Sequence, residues 1–466
     1  MPPPVAQALK ASGIPLESTS ILVQEAAADR PVLAINAELP MNPASVMKLL
    51  TTYAALEMLG PAFTWTTEAF ALGTVREGTL EGDLLLRSDG DPKLTLENFW
   101  LLLRGVHARG VRNIRGDLVL DRSLYGVDSG NPGSFDNEPM RVYNTLPDAL
   151  LVNHKAVRIS FLPDIENKRV MLLTEPTLTE VEVINNVVLD NGTCGDWRAR
   201  IKQEIRAEGN SARLAFAGSL SAQCGEQVRH YSILSPQTYT AALFRQLWNE
   251  IGGRFSGGVR DGTVPVNARP LVTQPSPALS EVVRDVNKYS NNAMARQVYL
   301  ALGASAFGAP ATLEKSDRAL RQWLAQKRLE FPELVIENGS GLSRIERISA
   351  KSLGSLLAAA WRSPVMPEFI ASMPVVGVDG TLRRRGKNLP YTGQAHIKGG
   401  TINGVRGMAG YVLDATGRRW IVVCLINHPK VHNGNAHPVF DSLLRWAHSR
   451  GGTLPQLPTD TVSPSD

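Results

Sequence analysis

A serine and a lysine lie three residues apart in the segment PASVMKLL, residues 43–50, where a long apolar stretch begins. Residues three apart on a helix share a face, so the Ser45 hydroxyl and the Lys48 amine can come within hydrogen-bond distance. Apolar neighbours disfavour the ammonium form, and a neutral amine can take the proton of a hydroxyl. The pattern predicts a serine nucleophile activated by a lysine.

The same pair also fits a structural role, in which Ser45 caps the helix and Lys48 extends its amine into water. A single Ser-x-x-Lys spacing arises by chance in many proteins, although no other lysine of this chain has a serine three residues before it. The catalytic interpretation therefore depends on further groups.

Two further segments supply such groups. Ser290 and Asn292 present a hydroxyl and an amide in YSNN, residues 289–292, between two helical patterns. Lys398 begins KGGT, residues 398–401, after a short strand pattern. Glycines at a strand edge allow close approach of a substrate backbone, and a lysine adds a cation for a carboxylate. A β-bulge with a surface lysine is the alternative interpretation of the second segment.

The three motifs together resemble Ser-x-x-Lys, Ser-x-Asn and Lys-Thr-Gly of penicillin-binding proteins and serine β-lactamases. The chain is also similar to penicillin-binding proteins of the D-alanyl-D-alanine carboxypeptidase/endopeptidase class C type, peptidase family S13. This second similarity rests on GDL at 82–84, GDP at 90–92, ENGSGLSR at 337–344 and DGTL at 379–382. Together the motifs run from about residue 20 to residue 440.

The resemblance implies catalytic roles for five residues. Ser45 attacks the D-alanyl carbonyl carbon, and Lys48 is the acylation base. Ser290 relays a proton to the leaving amine. Asn292 holds Lys48 and the acyl-side amide, and Lys398 completes the set.

The resemblance also implies how the substrate is bound. Lys398 and Thr401 bind or orient its terminal carboxylate next to Gly400, and the backbone N–H groups of Ser45 and Thr401 form an oxyanion hole. The family has threonine where this chain has Gly399. Because that hydroxyl helps to bind the carboxylate, we expect weaker selectivity for a free carboxyl terminus and no loss of acylation.

The predicted function is that of a serine DD-peptidase, a carboxypeptidase, an endopeptidase or both, acting on peptidoglycan stem peptides and acylated by β-lactams. Two alternatives stay open, a non-catalytic peptidoglycan-binding scaffold and a β-lactamase or esterase on the same fold. We expect no cofactor and no metal. Cys424 and the histidines at 428, 432 and 437 are spaced loosely like a metal site, but Pro429, Gly434 and Pro438 break any helix that would align them.

The elements that would position these residues alternate along the chain. Two apolar stretches, 21–23 and 32–35, predict a hairpin, and a helix follows from Ser45 to Gly60. Short strands fill residues 66–265, with one helix at 235–251. Helices return at 279–302, 313–329 and 349–361, strands at 395–398, 409–414 and 419–427, and a last helix at 438–448.

This order predicts an α+β fold in which a β-rich region is inserted into a discontinuous domain. Residues 1–65 and 266–466 would form the catalytic domain, and residues 66–265 the insertion. The resemblance implies a β-lactamase/transpeptidase-like domain, an antiparallel sheet flanked by helices, with the insertion split into two subdomains. The N-terminal hairpin would join the C-terminal strands in one sheet.

Composition narrows the setting of the protein. The 466 residues carry 49 basic and 44 acidic side chains, and these are interspersed, which argues against nucleic acid as a partner. No apolar run is long enough for a membrane span, and the MPPP start lacks the features of a secretory signal. We expect an exported, periplasmic chain whose leader has been removed, with a bridge between Cys194 and Cys224. The basic run RRRGK, residues 383–387, fits a solvated loop or a patch that steers an anionic peptide.

Overall fold

A computed structural model describes residues 1–126 and 130–450 of the chain. The chain divides into a first unit, Met1–Glu57, Val283–Ser290 and Gln322–Asp466, and a second unit, Met58–Val282 and Asn291–Arg321. Residues 266–282 and 291–321 thus fold with the second unit. The domain boundaries drawn from the sequence at residues 65 and 265 stay a prediction.

Eighteen strands occur in the described residues and are labelled β1 to β18 in chain order. They are Thr19–Glu25, Pro31–Ile35, Thr66–Arg76, Thr79–Ser88, Asn113–Ile114, Leu118–Asp121, Val157–Asp164, Arg169–Glu175, Val181–Asp190, Ile201–Glu208, Ser211–Ser221, Gln227–Tyr231, Arg254–Phe255, Val259–Asp261, Val272–Pro275, Ala395–Ile402, Val405–Leu413 and Arg419–Asn427.

The α-helices of the same residues are labelled α1 to α11. They are Pro3–Ser12, Lys48–Met58, Leu96–Ala108, Trp197–Arg200, Pro236–Glu250, Leu279–Lys288, Asn292–Phe307, Leu313–Gln326, Ala350–Trp361, Met366–Ser372 and His437–Ser449. A short 3-10 helix, Ala44–Met47, leads directly into α2.

The first unit contains a five-stranded antiparallel sheet in the order β16-β17-β18-β1-β2. Strand β1 pairs with β18 along its whole length, with Ile21 opposite Cys424. The pairing joins the N-terminal hairpin to the C-terminal strands, as the sequence predicts. It brings β16, which carries Lys398, into the same sheet as the strands that precede Ser45.

Helices pack on both faces of this sheet. One face is covered by apolar side chains of α1 and α11, among them Val5 and Phe440, which pack against Ile397 and Met408. Helix α9 contacts β1 and β18. Helix α2 is buried on every side from Lys48 to Leu56, as expected for a helix that is apolar all round. Burial of each such aliphatic side chain contributes about 1.5–3 kcal/mol, so α2 is held firmly in place.

The second unit contains one seven-stranded sheet and two three-stranded sheets. In the largest sheet β4 and β6 pair in parallel, with Leu84 opposite Leu118. Two segments of similar sequence, GDLLL at 82–86 and GDLVL at 116–120, therefore lie side by side. The Asp83 carboxylate accepts a hydrogen bond from the Asp117 N–H at 2.7 Å. Their likeness reflects neighbouring strands of one sheet.

Cys194 and Cys224 form a disulfide within the second unit, which confirms the predicted bridge. The two residues are 30 positions apart, so the bond closes a loop that the unfolded chain would otherwise leave open. In the loop-entropy model such a closure stabilises the folded chain by about 3–4 kcal/mol. Across the described ranges no helix is long and apolar enough to cross a bilayer.

Candidate active site

Ser45 lies in the 3-10 turn that begins helix α2, and the residue before it has an unusual backbone. Ala44 has φ of +46°, a left-handed conformation that is rare for a residue with a side chain. The Asn42 side chain holds this turn, because its Oδ1 accepts a hydrogen bond from the Ala44 N–H at 2.9 Å. Asn42 is fixed in turn by Asn427, whose Oδ1 accepts from the Asn42 N–H at 2.8 Å.

The predicted serine–lysine pair forms within this turn. Lys48 Nζ is 3.0 Å from Ser45 Oγ, and the Lys48 side chain is fully buried. Lys48 Nζ also donates a hydrogen bond to the Ser340 carbonyl. Burial favours the neutral form of an amine, and an amine that donates one proton to a carbonyl keeps its lone pair for another partner. The arrangement suits transfer of the Ser45 proton to Lys48.

The carbonyl that binds Lys48 belongs to a loop, residues 337–346, which lies against the nucleophile turn. Gly341 has φ of +77°, and a side chain there would overlap the Ala44 carbonyl. The Gly339 carbonyl accepts a hydrogen bond from the Thr51 hydroxyl on α2 at 2.6 Å. Glycine is therefore required at 341 so that the loop can approach the turn that presents Ser45.

Glu346 ends this loop and is completely buried. Its Oε1 accepts hydrogen bonds from the Glu337 and Asn338 N–H groups, both at 3.1 Å. Burial raises the pKa of the Glu346 carboxyl, whereas these two N–H groups oppose the rise. Sequence reasoning missed Glu346, although it lies only two residues beyond the ENGSGLSR motif.

Ser290 and Lys398 form a second hydroxyl–amine pair. Ser290 follows α6 and has φ of +57°, so it is a second side-chain-bearing residue in the left-handed region. Lys398 Nζ donates to Ser290 Oγ and to the Gly399 carbonyl, each at 2.8 Å. Burial lowers the pKa of Lys398 to about 7. This amine can therefore hold or release a proton near neutral pH.

The two glycines of the KGGT segment have different surroundings. A side-chain carbon at Gly400 would lie 2.5 Å from the Pro43 carbonyl oxygen and 3.1 Å from the Ser45 nitrogen. Gly400 therefore allows β16 to approach the nucleophile turn, whereas the sequence predicted that the glycine would admit a substrate backbone. A side-chain carbon at Gly399 would meet no heavy atom within 4 Å.

A cavity of about 610 Å³ connects these elements of the first unit. Its lining includes Ser45, Ser290, Gly399, Gly400, Thr401 and Arg406. The structure thus places both hydroxyls and the KGGT segment around one space that can hold a small peptide end. Thr401 is exposed there and lies opposite Arg406 in the β16–β17 pair.

Asn292 is the one predicted catalytic residue that belongs to the second unit, as the first residue of α7. Its side chain is nearly buried, and Nδ2 donates to the Tyr143 carbonyl at 3.1 Å. The division between the two units falls between Ser290 and Asn291, within the YSNN motif. The predicted role of Asn292 stays a prediction.

Of the remaining candidate residues, one is buried in the sheet and others line the cavity. Cys424 is buried in β18, where burial raises the pKa of its thiol, so it acts as a small apolar residue. The side chain of His432 lies outside the described residues. Of the basic run, Arg384 and Arg385 line the cavity. Arg385 is already engaged, because its Nη2 lies 2.9 Å from an oxygen of Asp441.

Comparison with known proteins assigns the family. The model of the D-Ala-D-Ala carboxypeptidase 3 (S13) family matches residues 4–448. The chain belongs to this family. It is therefore a serine DD-peptidase of the penicillin-binding type, which confirms the class predicted from the motifs.

Two curated relatives and one solved structure support the assignment. The chain is 24% identical to D-alanyl-D-alanine carboxypeptidase DacB of Haemophilus influenzae, over 83% of this chain and 80% of the relative. It is 29% identical to the D-alanyl-D-alanine carboxypeptidase of Actinomadura sp. strain R39, over 85% and 74%. The crystal structure of Haemophilus influenzae penicillin binding protein 4 superimposes with a TM-score of 0.78 at 22% identity, covering 96% of this chain and 99% of that one. The predicted fold class is confirmed.

Proposed function

We propose that this DD-peptidase hydrolyses the bond after a D-alanyl residue in peptidoglycan stem peptides through an acyl-enzyme on Ser45. The observation that carries the proposal is the buried Lys48 amine 3.0 Å from Ser45 Oγ, at the edge of a cavity that Ser45 lines. Solvated surface pairs of this kind have no such burial, and a snorkelling lysine would expose its amine.

In the acylation step Ser45 Oγ attacks the D-alanyl carbonyl carbon while neutral Lys48 accepts the hydroxyl proton. The carbonyl oxygen becomes an oxyanion, which the backbone N–H groups of Ser45 and Thr401 stabilise. Loss of one such donor costs about 3–4 kcal/mol of transition-state stabilisation in other enzymes. Gly400, the residue before Thr401 on β16, packs closely on the Ser45 backbone. The segments that carry the two N–H donors are therefore adjacent.

The C–N bond then breaks, and the leaving amine takes a proton through Ser290. Lys398 can resupply that proton, because its amine is 2.8 Å from Ser290 Oγ and burial brings its pKa to about 7. A water molecule finally attacks the ester carbonyl carbon, and Lys48 returns its proton to Ser45 Oγ as the bond to Ser45 breaks. The proton that the water loses replaces the one that Lys398 supplied.

The leaving group decides between two activities. Release of a terminal D-alanine is carboxypeptidase activity, and release of a crosslinked neighbouring peptide is endopeptidase activity. Both use the same acyl-enzyme, and we propose that β-lactams acylate Ser45 by the same attack. One Haemophilus penicillin binding protein 4 structure contains a β-lactam. We also propose an exported, periplasmic location, which the Cys194–Cys224 disulfide supports, since disulfides persist in oxidising compartments.

The test is mass spectrometry of the intact protein after treatment with benzylpenicillin, followed by peptide mapping. We expect a stable penicilloyl adduct on Ser45, no adduct on Ser45→Ala, and release of D-alanine from a peptide ending in D-Ala-D-Ala. An unmodified wild-type protein would favour the scaffold alternative. Rapid turnover of the penicillin would favour the β-lactamase alternative.

A further inference from the structure

The cavity beside Ser45 is strongly basic. Arg384, Arg385 and Arg406 line it together with His437, and among its described lining residues there is no aspartate or glutamate. Arg385 is balanced by Asp441 and its guanidinium lies over the Phe440 ring. The two other guanidinium groups make the cavity suitable for an anion.

Lys398, the cation that the family resemblance assigns to the substrate carboxylate, is poorly suited to hold an anion alone. It is fully buried, and its amine already donates to Ser290 Oγ and to the Gly399 carbonyl. With a pKa near 7, a large fraction of Lys398 is uncharged at neutral pH. A carboxylate in this cavity needs a group that stays charged.

The neighbouring position on the strand, Gly399, has no side chain that could bind a carboxylate. Family members carry a threonine hydroxyl where this chain has Gly399, and the space that a side chain would occupy is open. The carboxylate subsite of this chain therefore lacks one hydroxyl donor.

Arg406 is placed to reach that space. It lies opposite Thr401 in the antiparallel β16–β17 pair, while Gly399 lies opposite Met408. Side chains two apart on a strand point to the same face, so Gly399, Thr401 and Arg406 share one face of the sheet. Arg406 is a diagonal neighbour of Gly399, a separation that a long side chain spans.

The guanidinium of Arg406 also has free donors. Within the described residues its hydrogen bonds run from Nη1 to the Ile402 carbonyl at 3.2 Å and the Val405 carbonyl at 2.9 Å. These contacts hold the planar group beside Ile402 and Val405, at the turn end of the β16–β17 pair. In the part of the chain that the structure describes, they leave Nε and Nη2 without a protein acceptor, so the side chain can turn along the strands to meet a carboxylate beside Gly399. Arginine keeps its charge at any physiological pH and presents paired N–H groups that match a carboxylate.

We propose that Arg406 binds the terminal carboxylate of the substrate in place of the hydroxyl that is missing at Gly399, and so determines specificity for a free carboxyl terminus. This inference rests on the proposed function. It revises the expectation that Gly399 weakens that selectivity, because the cation on the adjacent strand replaces the lost donor.

The test compares two substrates on four proteins. The substrates are an N-acylated peptide ending in D-Ala-D-Ala and the same peptide with a C-terminal carboxamide. The proteins are wild type, Arg406→Gln, the exposed-arginine control Arg383→Gln, and Arg406→Gln combined with Gly399→Thr. Wild type is first shown to form the penicilloyl adduct on Ser45, so that a failure of the proposed function is recognised separately.

We expect Arg406→Gln to lower kcat/KM for the free acid by about 10- to 100-fold and to change kcat/KM for the carboxamide by less than about 3-fold. Arg383→Gln should behave as wild type. Adding threonine at Gly399 should recover part of the loss on the free acid, since the hydroxyl restores a donor in the open space.

Equal losses on both substrates would overturn the inference, because they indicate a structural role for Arg406. Unchanged kinetics on the free acid would overturn it as well, and so would a wild-type protein without a Ser45 adduct. If Arg406→Gln does not fold, Arg406→Lys decides. Arg406→Lys keeps the charge without the paired donors. It should therefore lower kcat/KM for the free acid several-fold and leave kcat/KM for the carboxamide unchanged. Equal losses on the two substrates would again refute the assignment.

Discussion

The buried Lys398 amine should make the protein less stable at low pH, and replacing it should relieve that cost. Burial lowers its pKa from 10.5 to about 7, so the unfolded chain binds this proton more tightly than the folded chain does. Where the unfolded state binds more protons, stability rises with pH. The unfavourable contribution is therefore complete below pH 7 and disappears as the pH rises toward 10.5.

The magnitude follows from the two affinities. A tenfold difference in proton affinity corresponds to about 1.4 kcal/mol, so burying this amine, charged or deprotonated, costs about 4–5 kcal/mol at pH 6 and about 2 kcal/mol at pH 9. Lys398→Met removes this cost. It also removes the hydrogen bonds to Ser290 and to the Gly399 carbonyl, a loss of about 1–3 kcal/mol at any pH.

Lys398→Met should thus be more stable than wild type by about 2–3 kcal/mol at pH 6 and about equal to it at pH 9, while losing peptidase activity. The measurement is urea denaturation of both proteins at pH 6, 7, 8 and 9. Lys387→Met is the control, because Lys387 is exposed, and its difference from wild type should not vary with pH. A stability difference for Lys398→Met that is constant across the series would refute the reasoning.

Three further predictions test the site and the fold. Lys48→Arg places a permanent cation beside Ser45 that cannot act as a neutral base. The rate of Ser45 acylation by penicillin, measured by stopped flow, should therefore fall by about 10²- to 10⁴-fold. An unimpaired rate would refute the role of Lys48 as the base. Gly400→Ala should greatly reduce both thermal stability and the acylation rate, because the new side chain would meet the Pro43 carbonyl. Gly399→Ala should be tolerated, because its side chain would meet no heavy atom. Equal effects of the two variants on the melting temperature and on the acylation rate would contradict the packing described. Replacing both Cys194 and Cys224 by alanine should lower the free energy of unfolding of the second unit by about 3–4 kcal/mol. The acylation rate should stay within about 2-fold of the wild-type rate. Urea denaturation with and without a reductant checks the loss of stability.

Local signals were sufficient for most elements of the first unit. Ser349, where the sequence predicts that a helix starts, is the N-cap of α9, and its hydroxyl accepts a hydrogen bond from the Ser352 N–H at 3.0 Å. The hairpin turn at Asn403-Gly404 separates β16 from β17, with Gly404 at φ of +75°. Such features are encoded within four or five residues, which is why sequence reasoning finds them.

Helices α1, α3, α4 and α10 were not predicted. Helix α3 carried a signal, since Phe99, Leu102, Leu103 and Val106 follow the helical period and are all buried. The strand pattern around it concealed this period. Helix α1 begins with prolines and has only Val5 and Leu9 buried, so its existence depends on packing against α11 rather than on its own pattern.

The chemical pairs of the site were predictable only in part. The Ser45–Lys48 contact is local, so spacing alone suggested it. The contacts of Lys398 with Ser290 and of Lys48 with the Ser340 carbonyl join residues more than 100 positions apart in the sequence. Without the family resemblance, nothing in the composition would have brought these residues together.

Near each reactive hydroxyl, one residue adopts a backbone conformation that its residue type disfavours. Ala44 and Ser290 both adopt left-handed conformations, each at a cost of about 1–2 kcal/mol, and neither residue type favours that region. At Ala44 the cost is offset by partners distant in the sequence, the Asn427-held side chain of Asn42 and the close contact of Gly341. The conformation that presents Ser45 is therefore a property of the folded unit, and residues 43–50 alone do not encode it. Violations of local preference at a functional site are expected where tertiary contacts impose the geometry that the chemistry requires.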